Sequence, residues 1–278
     1  MNRIRPYVRL ARLDKPWGAL LLAWPTLGAL ALSSFRIQDS PWLIFIFGII
    51  LTRSAGCVVN DYADMWIDGH VERTRSRPLV SGIVTLRQAK LFCFGLFLSA
   101  ATLLLWLPIS VFYMAIVSLI LIIAYPFTKR YLRAPQLFLG FVFSQGIPMA
   151  YLANHHAFDR IMVCFYLLSL VWVVIYDTIY AMTDAPDDIK MNAGSLAVLL
   201  GSNGPMMATY AYGCLGIGWL LWGVLANMST IYYVGLVYVY YNLYQQTQLV
   251  HAKQYFQAFL LNQHAGICIG LGIIGSCI

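Results

Sequence analysis

Residues 109–127 read ISVFYMAIVSLILIIAYPF, a stretch without a single charged side chain. Wound as an α-helix, it rises about 28 Å, close to the hydrocarbon thickness of a bilayer. Working outward, comparable apolar runs occur at about 17–35, 42–63, 88–106, 135–153, 161–180, 205–225, 230–249 and 263–278, the last being short. The whole chain of 278 residues is 60% hydrophobic and 10% charged, with a mean hydropathy of +0.72. A soluble domain carries about 25% charged residues, too many for this composition to match. In lipid the backbone must satisfy its own hydrogen bonds, so these runs become helices rather than open strands. The expectation is an all-α integral membrane protein of about nine transmembrane helices forming one domain over 1–278.

Lysine and arginine orient it. With nine spans and a cytoplasmic N-terminus, 15 of the 18 basic residues fall in cytoplasmic segments, from Arg3 to Lys15, Arg73 to Lys90, Lys129 to Arg133, and at Lys190 and Lys253. Only Arg36 and Arg160 fall outside, and Arg53 lies within the second span. This is the positive-inside pattern, so the net charge of +7 reports topology and calls for no nucleic acid. The basic N-terminus leads into a run of full spanning length, read as a span rather than a cleaved signal. The six cysteines are scattered without a CxxC pair, as reduced, packed thiols would be.

The acids are not scattered. Eight of eleven stand in two windows, Asp61, Asp64, Asp68 and Glu72, then Asp177, Asp184, Asp187 and Asp188, each at the cytoplasmic end of a span. Asp64 to Asp184 and Asp68 to Asp188 are both 120 positions apart. That offset suggests two pseudo-repeated four-helix halves, about 17–127 and 135–249, followed by a final helix at about 263–278.

The first window, Gly56–Gly82, reads GCVVNDYADMWIDGHVERTRSRPLVSG. On a helix Asn60, Asp64 and Asp68 stack at i, i+4 and i+8, with Arg53 and Cys57 continuing the face. Like charges at that spacing destabilise a helix, so a cation should offset them. Mg²⁺ fits, because it takes one or two carboxylates together with waters and phosphate oxygens. Arg73, Arg75 and Arg77 follow, where guanidinium groups can grip phosphate. The second window, Tyr176–Ser195, reads YDTIYAMTDAPDDIKMNAGS and repeats the i,i+4 pair as Asp184 and Asp188. Pro186 between them marks a possible fresh helix start, and Lys190 lies just beyond. Two such clusters brought together can each hold Mg²⁺ against a diphosphate and make it a better leaving group. Apolar helices can receive a hydrocarbon chain, and aromatic rings can shield a carbocation.

At these residues the chain resembles the UbiA family of intramembrane prenyltransferases. Asn60-Asp61-x-x-Asp64-x-x-x-Asp68 carries that family's spaced motif, followed by Arg73-Thr74 and Arg77. RLDKPWGALLLAWPTLGAL (12–30), YPFTKRYLRAPQLFLG (125–140) and YDTIYAMTDAPDDIK (176–190) are similar to the 4-hydroxybenzoate polyprenyltransferase branch. The resemblance implies transfer of a polyprenyl group from polyprenyl diphosphate to the ring carbon ortho to the hydroxyl of 4-hydroxybenzoate, in ubiquinone biosynthesis. It implies catalytic and Mg²⁺-binding roles for Asp64, Asp68, Asp184 and Asp188. Substrate-binding roles fall to Asn60, Arg73, Arg77 and Lys190, with Arg130 first and Arg53 second for the acceptor carboxylate. Without a transit peptide the chain reads as bacterial, so an inner membrane location is expected, and the acids at cytoplasmic span ends put the site toward the cytoplasm.

The second window departs from the family pattern. DAPDDIKMNAGSLA (184–197) has Ala185 and Pro186 in place of a polar pair, Leu196 in place of threonine, and Gly194 where a diphosphate-holding lysine is expected. In the first window Met65 and Trp66 replace charged residues. Another acceptor (a different quinone precursor, haem or a glycerophosphate) is the nearest rival. A transporter is the rival of another class, but transporters place their acids near the midplane, whereas these gather at one face.

Overall fold

The computed structural model describes residues 4–34, 36–69, 72, 74–191 and 193–278, and among them every regular element is helical. In chain order the helices are α1 (Arg5–Leu10), α2 (Trp17–Leu32), α3 (Trp42–Asp68), α4 (Leu86–Leu103), α5 (Ile109–Thr128), α6 (Pro135–Ser144) and α7 (Gly146–Ala153). There follow α8 (Arg160–Lys190), α9 (Leu196–Leu200), α10 (Gly204–Leu225), α11 (Thr230–His251) and α12 (Tyr255–Ser276). Among the described residues, seven helical segments are long and apolar enough to cross a membrane. The chain is a multi-pass membrane protein.

Two expected spans fall short of that measure. α2 is apolar but only 16 residues long, and α11 has the length but is diluted by tyrosines and glutamines along YYVGLVYVYYNLYQQTQ. Three boundaries differ from the sequence reading. The final helix starts at Tyr255 and runs 22 residues, so it is not short. The 135–153 run is two helices broken at Gln145, whose amide donates to the Phe141 carbonyl (3.0 Å). Pro186 starts no new helix: α8 continues through it to Lys190. A proline costs one backbone hydrogen bond and a clash, but α8 is pinned upstream by the buried side chains of Trp172, Tyr176, Ile179 and Met182.

Local chemistry sets the helix ends. Thr85 and Gln88 form a reciprocal capping box at the start of α4, and Asp159 caps α8 by accepting from the Met162 amide (2.7 Å). After α1, Arg12 adopts φ 57°. The Leu13 amide then bonds the Val8 carbonyl (3.0 Å) and the Arg12 amide the Arg9 carbonyl (3.2 Å). That is a Schellman stop with arginine in the left-handed position usually held by glycine, at a cost of about 1 kcal/mol.

The chain divides into two compact units. One comprises Met1–Ala19 and Leu43–Phe127, the other Leu20–Trp42 and Thr128–Ile278. In the first, α1 is held down by a small core of Leu10, Val58, Leu79, Val84 and Ala89, with Tyr7 edge-on to Phe92 (5.2 Å). In the second, Trp24 packs against Trp172 (4.7 Å) and Phe165 against Trp222 (5.1 Å). Gly266 and Gly270 are small for Trp24, since a Cβ on them would come within 2.4 and 3.2 Å of that side chain. A polar chain runs beside the aromatics. The Trp172 indole donates to Asn262 (2.7 Å), the Tyr212 hydroxyl reaches both Gln246 and Asn262, and Gln246 donates to Asn242 (2.6 Å).

Candidate active site

The acidic motif lies at the end of α3. Its apolar span covers Trp42–Trp66, and Asp68 is the last residue of the helix, beyond that span. Asp61, Asp64 and Asp68 are all buried, Asp61 completely. Asn60 donates to Asp64 (3.1 Å), as the i,i+4 spacing predicts. Asp68 is bound by Arg77, and the Thr74 hydroxyl donates to the Asp68 carbonyl (2.9 Å), folding the following loop back onto the helix end. Burial raises the Asp68 carboxyl above the ordinary aspartate value. Arg77 opposes the rise, and the charges of Asp64 and Asp61 add to it. A cation supplied from outside relieves that crowding.

Arg77 also touches Asp61 (3.1 Å). A second guanidinium, Arg12 from the turn after α1, reaches the same Asp61 oxygen at 2.5 Å. Arg73, expected to bind substrate, lies outside the described residues. Arg53, two turns before Asn60 on α3, donates to the Cys57 sulfur (2.7 Å). It lies along a cavity of about 170 Å³ whose walls include Arg12, Lys15, Gly18, Ile50 and Ser54. Sequence reading took Arg12 and Lys15 as topology charges only. The cavity joins segments about forty positions apart, and no local spacing reports such a contact.

Gly18 sets how close Arg53 can lie. A Cβ there would stand 2.5 Å from Nη2 and 2.6 Å from Nε of Arg53. The obstructed atoms end a flexible side chain, so Gly18→Ala is expected to leave thermal stability within about 1 kcal/mol. The guanidinium must move, however. If it serves a ligand in the cavity, KM for that ligand rises about tenfold with little change in kcat, the pattern for lost uniform binding. Initial-rate kinetics beside a melting curve check both halves.

In the other unit, α8 carries Asp184 and Asp188, both half-buried. The charged neighbours of Asp188 are Asp184, Lys129 and Asp187. Lys190, expected to bind substrate, is exposed and pairs with Asp187 (3.2 Å). Arg130 is exposed too. Tyr180, one turn before Asp184, packs on Phe259 (4.9 Å). Beyond α8 the Gly194 amide donates to the Lys129 carbonyl (2.9 Å). A Cβ at 194 would fall 1.9 Å from the Leu132 carbonyl oxygen.

Among the described residues no three His, Cys, Asp or Glu side chains gather as a ready metal cage. The donor chemistry still suits Mg²⁺, which needs only one or two carboxylates and completes its shell with water and phosphate. Asp64 and Asp68 provide that on α3, and Asp184 and Asp188 on α8.

Comparison with known proteins is consistent across sequence and fold. The profile of the UbiA prenyltransferase family matches residues 22–261. A 4-hydroxybenzoate octaprenyltransferase of Legionella pneumophila (strain Corby) is 41% identical over 276 residues, covering 96% of this chain and 98% of the relative. One from Marinomonas sp. (strain MWYL1) is 38% identical, covering 99% of each. Among solved structures, the apo structure of a UbiA homolog from Aeropyrum pernix K1 superposes with a TM-score of 0.82 at 22% identity, covering 94% of this chain and 98% of the other. A UbiA homolog from Archaeoglobus fulgidus bound to GPP and Mg²⁺ gives 0.74 at 13% identity, covering 97% and 99%. On these matches, which run nearly end to end, the chain belongs to the UbiA prenyltransferase family.

Proposed function

We propose that the protein is a Mg²⁺-dependent 4-hydroxybenzoate polyprenyltransferase. The observation that carries this reading is the near-complete match to relatives of that name, joined to a helix end where Asn60 bonds the buried Asp64 and Asp68 is buried beside it. In the reaction, the bond between the prenyl C1 and the diphosphate oxygen breaks, its electron pair leaving with diphosphate. The ring carbon ortho to the hydroxyl of 4-hydroxybenzoate bonds to C1, and the ring proton departs to restore aromaticity. When bound, Mg²⁺ neutralises the diphosphate and lowers the cost of its departure.

The chain's own groups divide the remaining work. Asp64 and Asp68, with Asp184 and Asp188, hold the metal–diphosphate, and Asn60 fixes the Asp64 carboxylate by its hydrogen bond. Arg73 and Arg77, with Lys190, supply cations to phosphate oxygens. Tyr180, packed on Phe259, offers a ring face to the prenyl cation. The acceptor carboxylate is assigned to Arg53, because that guanidinium lines a cavity of single-ring size while Arg130 is exposed. Nine spans, counting α2 and α11, and a cytoplasmic N-terminus complete the reading. They put the acids at the cytoplasmic face of a bacterial inner membrane, and the two halves at about 17–127 and 135–249.

Membranes containing the protein, given labelled 4-hydroxybenzoate, a polyprenyl diphosphate and Mg²⁺, are expected to form a lipid-soluble labelled product with one diphosphate released per transfer. No product from folded protein, across several prenyl lengths, would sink the acceptor assignment. Within the same assay, Arg53→Ala is expected to raise KM for 4-hydroxybenzoate about tenfold or more. Arg130→Ala should stay within about twofold of wild type, and the reverse ranking would return the acceptor to Arg130.

A further inference from the structure

Asp61 sits inside the acidic motif yet is placed unlike Asp64 and Asp68. Its side chain is fully buried, and its Oδ1 meets two guanidinium groups, Arg12 at 2.5 Å and Arg77 at 3.1 Å. Together with its two guanidinium partners the carboxylate carries net positive charge, which repels a further cation, and its side chain is closed to water and phosphate. Arg12 in turn stands on the wall of the cavity that Arg53 lines. The turn that presents Arg12 is itself fixed, by the Schellman hydrogen bonds and by the packing of α1 through Leu10.

We infer that Asp61 is a positioning residue: its carboxylate holds the Arg12 guanidinium on the wall of the Arg53 cavity, where it gives the acceptor carboxylate a second cation, and it binds no metal. The inference rests on the acceptor reading above. It makes the segment after α1 part of acceptor recognition. Lys15 adds a third positive charge to the same cavity, so the site selects a small aromatic acid over its neutral counterpart. Arg77, the second partner of Asp61, reaches on to Asp68. One buried acid thereby spaces two cations, one toward the acceptor and one toward the metal-binding end of α3.

Three variants test this without turnover: Arg12→Gly, Asp61→Asn and the double. Glycine suits the φ of 57° at position 12, so Arg12→Gly removes the cation without straining the turn. Binding of 4-hydroxybenzoate and of 4-hydroxybenzamide is measured by calorimetry on purified protein in nanodiscs. Mn²⁺ binding is followed by electron paramagnetic resonance with an unreactive prenyl thiodiphosphate present. Each single variant is expected to bind the acid about tenfold more weakly and the amide as wild type does, with the double variant no weaker than Asp61→Asn alone. Mn²⁺ affinity should stay within about twofold in all three, against a loss of about tenfold or more in Asp64→Asn. Wild-type preference for the acid that survives in Arg12→Gly overturns the inference alone, as does a tenfold loss of Mn²⁺ affinity in Asp61→Asn. A wild type that does not distinguish acid from amide overturns the acceptor reading and the inference with it.

Discussion

Asp64→Ala is expected to lower prenyl transfer by about 10²–10³-fold or more while leaving as much folded protein in the membrane as wild type. The two halves of that result have one cause. Asp64 is buried between Asp61 and Asp68 on the same helix, so three like charges crowd one helix end and a bound cation offsets them. Removing Asp64 relieves repulsion among the three acids and gives up the hydrogen bond from Asn60. Asp68→Ala should differ, because it strips a partner from Arg77 and removes the hydrogen bond between Thr74 and the Asp68 carboxylate. Product formation with excess Mg²⁺, read beside a melting curve in detergent, separates the two. Activity of Asp64→Ala within about fivefold of wild type at saturating Mg²⁺ would exclude it from the metal–diphosphate site.

The second large effect runs against a simple family argument. Resemblance expects a lysine at position 194, so Gly194→Lys looks like a repair. The backbone forbids it. A Cβ there would lie 1.9 Å from the Leu132 carbonyl oxygen, and that atom belongs to main chain which cannot swing aside. The substitution must also pull the Gly194 amide from the Lys129 carbonyl. A stability loss of about 2–4 kcal/mol is expected from overpacking and the lost bond together. Activity should fall by about tenfold or more, because the displaced segment directly follows the helix end bearing Asp184 and Asp188. Gly194→Ala should show most of the same stability loss, which separates the backbone collision from any effect of lysine charge. A Gly194→Lys protein as stable as wild type and faster than it would show that the segment has room. The close crossing also bears on the missing lysine: it brings the backbone of Lys129 to the tail of the second acidic window, and the charge of Lys129 acts on Asp188.

Where physics acts through neighbours in the chain, the fold could be read in advance. Uncharged runs such as 109–127 became α5 almost to the residue, because in lipid the backbone has few alternatives to helix. The acidic face of Asn60, Asp64 and Asp68 was equally legible, since i,i+4 spacing is local geometry. α11 shows the limit of hydropathy as a signal: its tyrosines dilute the apolar average while Tyr232 is fully buried. Pro186 misled because a proline's local penalty was outweighed by upstream packing that no short window contains. Gln145 gave no warning of a break, which follows its bond to the Phe141 carbonyl and the tight seat of Gly146, whose Cβ would strike Thr26. In the candidate site the illegible part was Arg12 with Asp61, a pair 49 residues apart. Read alone, one was a topology charge and the other a motif letter.

The polar chain through Trp172, Asn262, Tyr212, Gln246 and Asn242 has a bearing on biogenesis. Lipid exerts almost no hydrophobic pull between inserted helices, so interhelical hydrogen bonds and close packing decide which helices join. Asn262 belongs to α12, which follows α8 and α10 in the chain, and it accepts from Trp172 of α8 while meeting Tyr212 of α10. Without α12 the indole lacks its Asn262 acceptor and the phenol keeps Gln246 alone of the two. Coming after both partners in the chain, α12 therefore acts as a latch on α8 and α10.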